Sequence, residues 1–202
     1  MELEAALERI RKLAREHGLD AAILERVLRA AWKAHDGQKR KDGAPYIVHP
    51  LRVAACVAEE LGARDTDLVA AALLHDTVED TDLTLEAVEE LAGPRVKVLV
   101  DLLTKPEIRA TGGSTAVSES KEELNRVYFT RLREGDAGAS VVKCADRIDN
   151  LRDMERSGWT LAKKQGYVDE AREKILPVAR LKAPEAAGAL ARIADEVERG
   201  LR

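Results

Sequence analysis

Apolar residues recur at intervals of three and four along most of the chain, and this spacing is what most constrains its fold. Such spacing places side chains on one face of an α-helix, whereas no convincing strand alternation is present. The clearest examples are the first and last segments, with Leu3, Leu7, Ile10, Leu13, Leu190, Ile193, Val197 and Leu201. The sequence therefore predicts an all-α fold, with 1–202 forming a single helical bundle of about eight to ten helices.

Capping and turn residues divide this pattern into separate helices. Gly18 and Gly62 suit helix ends, Asp20 suits an N-cap, and Gly93 followed by Pro94 ends one helix and starts the next. Asp65 or Thr66 is the predicted N-cap of the helix that follows Gly62. The predicted helices cover about 3–18, 20–35, 50–62, 65–79, 84–92, a segment from 94, 120–134, 138–155, 160–182 and 185–200, with an irregular loop at about 105–120.

The net charge and the hydrophobic pattern of the chain argue against several classes of partner. The 202 residues carry a formal net charge of −4, so general binding to nucleic acid is not expected, and an anionic ligand must meet a local basic cluster. No apolar run is long enough to span a membrane, and the N-terminus does not resemble a signal peptide. We therefore expect a cytoplasmic protein without a membrane partner. Cys56 and Cys144 lie in apolar helical contexts and are predicted to be buried thiols.

Two histidines and two aspartates form a candidate metal site. His49, the adjacent pair His75 and Asp76, and Asp146 lie on three separate segments. Imidazole and carboxylate ligands together suit a divalent first-row metal that keeps positions open for water and substrate. The His75–Asp76 pair follows an apolar helical run, where both groups need partners, and a metal supplies one partner for both.

The segment AALLHDTVEDT concentrates ionisable groups at a predicted helix end. In a continuous helix His75 and Glu79 share one face, while Asp76 and Asp80 share the adjoining face. Carboxylates near a helix C-terminus oppose the helix dipole, so stability alone does not favour this arrangement. A solvated acidic helix end is the structural alternative, and it explains Glu79 and Asp80 better than His75.

The other two segments are weaker when each is taken alone. The histidine of PYIVHP could be incidental to a helix-entry turn, although the basic run of 39–41 lies just upstream. Asp146 and Asn150 share a helix face, with Lys143 one turn earlier, but an ordinary amphipathic helix has the same pattern. The three segments support one another only in combination.

Four stretches carry a resemblance to a known family: GQKRKDGAPYIVHPLRVA, AALLHDTVEDT, the LLTK after Gly93-Pro94, and VKCADRIDNLRDM. Their order and spacing from about 30 to 170 resemble the HD superfamily of metal-dependent phosphohydrolases, and within it the alarmone hydrolase domain of the RelA/SpoT family. The chain leaves no room for a synthetase or regulatory domain, so it looks like the stand-alone small alarmone hydrolases. The helices at about 160–200 would extend the matching core.

The resemblance implies roles for individual residues. The metal is usually Mn²⁺, bound as one ion, with other first-row divalent metals possible. The metal ligands would be His49, His75, Asp76 and Asp146, and the acidic pair that handles the attacking water would be Glu79 and Asp80.

The resemblance also implies a set of substrate contacts. Arg40 and Lys41 match positions near the guanine base, and Asn150 matches a residue that contacts the nucleotide. Tyr167 aligns with a substrate-binding tyrosine, and Lys163, one helical turn earlier, could be a phosphate ligand.

Two features depart from the family pattern. Asp149 stands where the family commonly has His or Tyr, and it adds negative charge beside the site. The loop at about 105–120, which contains Gly112 and Gly113, has a sequence that we cannot match to the family.

The implied reaction is metal-dependent hydrolysis of the 3′-pyrophosphate of guanosine tetra- or pentaphosphate, giving GDP or GTP and pyrophosphate. Direct attack by water is favoured, because the sequence has no Gly-rich phosphate loop and no Ser or Cys nucleophile in a recognisable setting. The partner would be this small nucleotide. The oligomeric state is left open. The alternatives are an HD phosphohydrolase acting on a nucleoside monophosphate, a dNTP or NADPH, a silent nucleotide-binding module, and a purely structural helical protein.

Overall fold

The computed structural model describes residues 2–106, 121–154 and 158–201. Most of the predicted loop at about 105–120 therefore lies outside the described residues. Within these ranges, extended pairing is limited to one isolated bridge between Lys39 and Pro45. The all-α prediction is confirmed.

The helices follow one another with short connections. The α-helices are α1 Leu3–His17, α2 Ala21–Ala34, α3 Val48–Ala55, α4 Thr66–Leu74, α5 Thr77–Asp80, α6 Leu85–Ala92, α7 Pro94–Leu103, α8 Lys121–Glu134, α9 Ala137–Asp153, α10 Leu161–Glu170, α11 Leu176–Lys182 and α12 Pro184–Gly200. A π-helical turn, Cys56–Glu60, extends α3, and a second, Ala171–Ile175, joins α10 to α11.

The ends of these helices follow the capping residues. The Asp20 side chain accepts a hydrogen bond from the Ile23 N–H at 3.0 Å, and Asp65 caps α4 in the same way. Gly93 has a φ of 93°, a left-handed value that favours glycine, and Pro94 begins α7. The predicted breaks at these positions are confirmed.

Helix α9 lies at the centre of the bundle. It packs against α3, α4, α7, α8, α11 and α12. Its apolar residues Val142, Ala145 and Ile148 are buried in the core. Gly138 near its N-terminus allows close packing, because a Cβ there would collide with the side chain of Leu68 on α4. This central position brings the polar residues of α9 close to those of α3 and α4.

The predicted continuous helix over 65–79 is wrong. Helix α4 ends at Leu74, His75 and Asp76 form a turn, and α5 begins at Thr77. The buried Thr77 hydroxyl donates to the carbonyl oxygen of Leu74 at 2.7 Å. A side-chain hydroxyl therefore occupies a backbone acceptor at the end of α4. Asp76 and Asp80 still share a face, because the Asp80 N–H donates to the Asp76 carbonyl oxygen at 2.8 Å across this turn.

None of the helices within the three described ranges combines the length and the apolar character needed to cross a membrane.

Candidate active site

The four predicted metal ligands come together from three parts of the fold. His49 lies on α3, His75 and Asp76 form the α4–α5 turn, and Asp146 lies on α9. Asp76 Oδ2 is 3.0 Å from His75 Nε2 and 3.6 Å from His49 Nε2. Asp146 Oδ1 is 3.3 Å from His49 Nε2 and 3.8 Å from His75 Nε2. The turn at 75–76 thus allows two adjacent side chains to face one centre.

Both imidazoles present Nε2 to this centre. His75 Nδ1 is 2.9 Å from the carbonyl oxygen of Ala72, a contact in which Nδ1 must donate. His75 Nε2 is buried and has no hydrogen-bond partner within the described part of the chain. His49 Nδ1 lies 2.6 Å from Asp149 Oδ2. Nε2 lone pairs beside two carboxylates fit a divalent cation.

The electrostatics also fit a cation. Burial opposes protonation of His49, but hydrogen bonds to Asp146 and Asp149 outweigh it and raise the pKa of His49 to about 9. Burial likewise opposes ionisation of Asp146, but the Lys143 ammonium and the two histidines hold the pKa of Asp146 well below its usual range. The site therefore attracts positive charge, which a divalent metal would supply in place of protons.

The predicted acidic pair lines the same cavity. Glu79 Oε1 forms an ion pair of 2.5 Å with Lys105 Nζ. The Tyr46 hydroxyl lies 2.6 Å from Asp76 Oδ2 and 3.1 Å from Asp80 Oδ2, so the two carboxylates share its single donor hydrogen. Partial desolvation and the charge of Asp76 raise the pKa of Asp80. The pair is thus held beside the metal ligands by two hydrogen-bond donors, Tyr46 and Lys105.

The metal cavity adjoins a second one. The first has a volume of about 270 Å³ and contains the four metal ligands and the acidic pair. The second has a volume of about 280 Å³ and is lined by Arg40, Lys41 and Trp159. Tyr46, Asn150 and Tyr167 line both cavities. The two together suit an elongated ligand with a charged end at the metal ligands and a flat end near Trp159.

The predicted substrate residues divide between these cavities. Arg40 Nη2 donates to Asn150 Oδ1 at 3.2 Å, and the Lys41 ammonium lies 4.9 Å from the centre of the Trp159 ring. Lys163 lines neither cavity, but its ammonium lies 4.0 Å from the centre of the same Trp159 ring. The structure therefore brings Arg40, Lys41, Asn150 and Tyr167 to the cavities and places Lys163 at their edge, against Trp159.

Sequence reasoning assigned no role to three residues that support the site, Lys143, Asp149 and Tyr46. Lys143 Nζ donates to Asp146 Oδ2 at 2.9 Å, beside the predicted residue Asn150, whose Nδ2 donates to Asp146 Oδ1 at 2.5 Å. Asp149 contacts His49, and Tyr46 contacts the two aspartates described above. The three-residue spacing of Lys143, Asp146 and Asp149 on one helix was the available signal.

An all-helical fold with a buried centre of two histidines and two aspartates defines a class of metal-dependent hydrolases. Residues 28–173 match the HD domain family. The chain therefore belongs to the HD domain family.

Proteins similar to this chain over most of its length include named pyrophosphohydrolases and one solved structure. A human protein named guanosine-3′,5′-bis(diphosphate) 3′-pyrophosphohydrolase is 37% identical over 163 residues, which cover 78% of this chain and 86% of that protein. A protein of the same name from Aquifex aeolicus is 36% identical over 173 residues, covering 85% of this chain and 22% of that protein. A solved structure, described as a metazoan ortholog of SpoT that hydrolyzes ppGpp, superposes with a TM-score of 0.73 and 32% identity, covering 90% of this chain and 97% of that one.

Proposed function

We propose that this protein hydrolyses the 3′-pyrophosphate of ppGpp and pppGpp, releasing pyrophosphate and GDP or GTP. The observation that carries the proposal is the junction of the two cavities, with metal ligands and an acidic pair in one and Arg40, Lys41 and Trp159 in the other. The names of the human and Aquifex relatives support the same reaction.

We propose Mn²⁺ as the metal, held by His49, His75, Asp76 and Asp146. When bound, the metal supplies Lewis acidity and lowers the pKa of water, so that hydroxide forms near neutral pH. Lys143 and Asn150 fix the Asp146 carboxylate, and the carbonyl of Ala72 fixes His75. These partners hold the ligand atoms in place before the metal enters.

Asp80 and Glu79 handle the proton of the attacking water. The raised pKa of Asp80 brings its carboxylate closer to the range of an effective general base. The Tyr46 hydroxyl stays neutral, because burial and Asp76 raise the pKa of Tyr46, and it therefore acts as a donor shared by Asp76 and Asp80. Lys105 holds the Glu79 carboxylate through an ion pair.

Cationic side chains stabilise the phosphoryl oxygens. Lys105, Lys143 and Arg147 line the metal cavity. The oxygen of water forms a bond to the reacting phosphorus, the bond from phosphorus to the ribose 3′ oxygen breaks, and that oxygen leaves with a proton. Fixed positive charges near the phosphorus favour this transition state, because negative charge spreads over the phosphoryl oxygens.

The guanine base occupies the second cavity in this proposal. The Arg40 guanidinium is held by Asn150 and by Asp153, with an ion pair of 3.0 Å to Asp153 Oδ2. A planar guanidinium held through Nη2 by two partners offers a flat surface against a purine. Lys41 and Trp159 lie at the same cavity and add charge and an aromatic face.

A nucleotide panel tests this function. Purified protein, first stripped of metal with EDTA, is assayed with ppGpp, pppGpp and NADPH, with and without Mn²⁺. We expect Mn²⁺-dependent release of pyrophosphate from the two alarmones. Release of orthophosphate from NADPH, with no pyrophosphate from ppGpp, would contradict the proposal and favour a different phosphohydrolase of the family.

A further inference from the structure

A continuous series of ionic contacts joins a metal ligand to the second cavity. His49 Nδ1 lies 2.6 Å from Asp149 Oδ2, and Asp149 Oδ1 lies 2.7 Å from Arg52 Nε. Arg52 Nη2 lies 2.6 Å from Asp153 Oδ2, which is 3.0 Å from Arg40 Nη2. Arg52 is the one member of the series that contacts both aspartates.

Two helices position the whole series. Arg52 lies one turn after His49 on α3, and Asp149 and Asp153 lie one turn apart on α9, so each pair shares a helix face. The Asp149 side chain is 8% exposed and the Asp153 side chain 15% exposed. Carboxylates with so little hydration depend on their partners for stabilisation. Removing Arg52 would therefore take a charged partner from both Asp149 and Asp153.

The Asp149 contact fixes the orientation of the His49 ring. A carboxylate at Nδ1 holds the ring so that Nε2 faces Asp76 and Asp146, where the metal would bind. An amide at position 149 is uncharged and replaces one carboxylate oxygen with a donor NH2 group, so it loses either the Oδ2 contacts with His49 and Arg52 or the Oδ1 contact with Arg52 Nε. The opposite end of the series acts in the same manner, because Asp153 holds the Arg40 guanidinium beside the second cavity.

We propose that Arg52 is a positioning residue that couples the metal site to the nucleoside cavity, through Asp149 on one side and Asp153 on the other. The metal half of this inference is independent of the substrate, and the cavity half rests on the proposed function. Arg52 itself lines neither the metal cavity nor the second cavity. It acts by holding the two aspartates that hold His49 and Arg40.

A neighbouring ion pair provides a matched control. Arg152 on α9 forms a two-pronged contact with Glu60, at 2.7 and 2.8 Å. This pair also joins α9 to the segment that follows α3, and it lines the same surface cavity as Arg52. It ends at Glu60 rather than at a metal ligand. Arg152→Gln therefore removes an inter-helix ion pair without breaking the series.

The experiment compares Asp149→Asn, Asp153→Asn, Arg52→Gln and Arg152→Gln with the wild type. Mn²⁺ affinity is measured by calorimetry on metal-free protein, and KM and kcat for ppGpp are measured at saturating Mn²⁺. We expect Asp149→Asn to weaken Mn²⁺ binding by about 10–100-fold, the range for partners of metal ligands. Asp153→Asn should raise KM about tenfold, the size of one lost charged hydrogen bond, and leave the Mn²⁺ affinity near the wild-type value.

Arg52→Gln should show both defects, and Arg152→Gln should show neither. The split between Mn²⁺ affinity and KM is a readout that a purely structural role would not move. Asp149→Asn should change the Mn²⁺ affinity and Asp153→Asn only the KM, whereas general destabilisation would change both together. Circular dichroism verifies folding, and if Arg52→Gln does not fold, the two isosteric Asn variants decide the outcome.

The inference is overturned if Arg52→Gln matches Arg152→Gln in both Mn²⁺ affinity and KM. A wild-type protein that fails to release pyrophosphate from ppGpp would overturn the proposed function instead. In that case the Mn²⁺ affinities still decide the positioning role. Weaker binding in Asp149→Asn and Arg52→Gln, but not in Arg152→Gln, would support it, and equal binding in all of them would refute it.

Discussion

Replacing Asp146 with alanine should remove most of the metal binding and most of the stabilisation that the metal provides. Asp146 Oδ1 is 3.3 Å from His49 Nε2 and 3.8 Å from His75 Nε2, so the substitution deletes one of four converging ligands. Its own partners, Lys143 and Asn150, remain on α9 and would point two donors at the vacated position. A positive charge there opposes cation binding.

The size of the effect follows from binding linkage. At a free Mn²⁺ concentration about 100-fold above Kd, a single site stabilises the folded state by about 2.7 kcal/mol. For a domain of roughly this size, 1 kcal/mol shifts Tm by about 2–4 °C, so the wild-type Tm should rise by about 5–11 °C. If Asp146→Ala weakens affinity at least 100-fold, the same Mn²⁺ concentration gives about 0.4 kcal/mol and a shift of about 1–2 °C.

The assay is thermal unfolding with and without Mn²⁺, accompanied by elemental analysis of bound metal. Each variant is compared with its own metal-free form, so the loss of the Lys143 contact does not enter the difference. Asp195→Ala is the control, because Asp195 is an exposed residue on α12 whose partner is Arg172. Full metal occupancy in Asp146→Ala, with a wild-type Tm shift, would refute the assignment of Asp146 as a ligand.

Three further outcomes are expected. Glu79→Gln should lower kcat by about 10²–10⁴-fold with metal still bound, whereas a rise in KM alone would show that Glu79 only contacts substrate. Arg40→Lys should raise KM for ppGpp, with a loss of about 1–2 kcal/mol and unchanged metal content, and identical kinetics would contradict base stacking. Because folding raises the pKa of His49 from 6.5 to about 9, metal-free protein should lose stability to denaturant as the pH rises from 6.5 to 9. The Mn²⁺ affinity should rise over the same range, because the metal no longer competes with the proton on His49. A flat stability profile would contradict this prediction.

Local pattern was sufficient for most of the secondary structure, and the spacing of the motifs was sufficient to choose candidate metal ligands. Helix periodicity and caps such as Asp20 and Gly93 depend on neighbours within one or two turns, so they can be read from the sequence. The residue types and spacing of the HD motif predicted the ligand set, and the described structure brings those four side chains together. Asn150 next to Asp146 was predictable for the same reason, because both lie on one helix face.

Contacts between distant segments were decided by the tertiary structure alone. The pairing of His49 with Asp149 spans 100 positions, and that of Arg52 with Asp153 spans 101, so no local periodicity could predict either. The break between α4 and α5 depends on a buried Thr77 hydroxyl, which competes for a carbonyl group that a continuous helix would use. A sequence shows which groups are available, whereas their partners depend on which helix faces pack together.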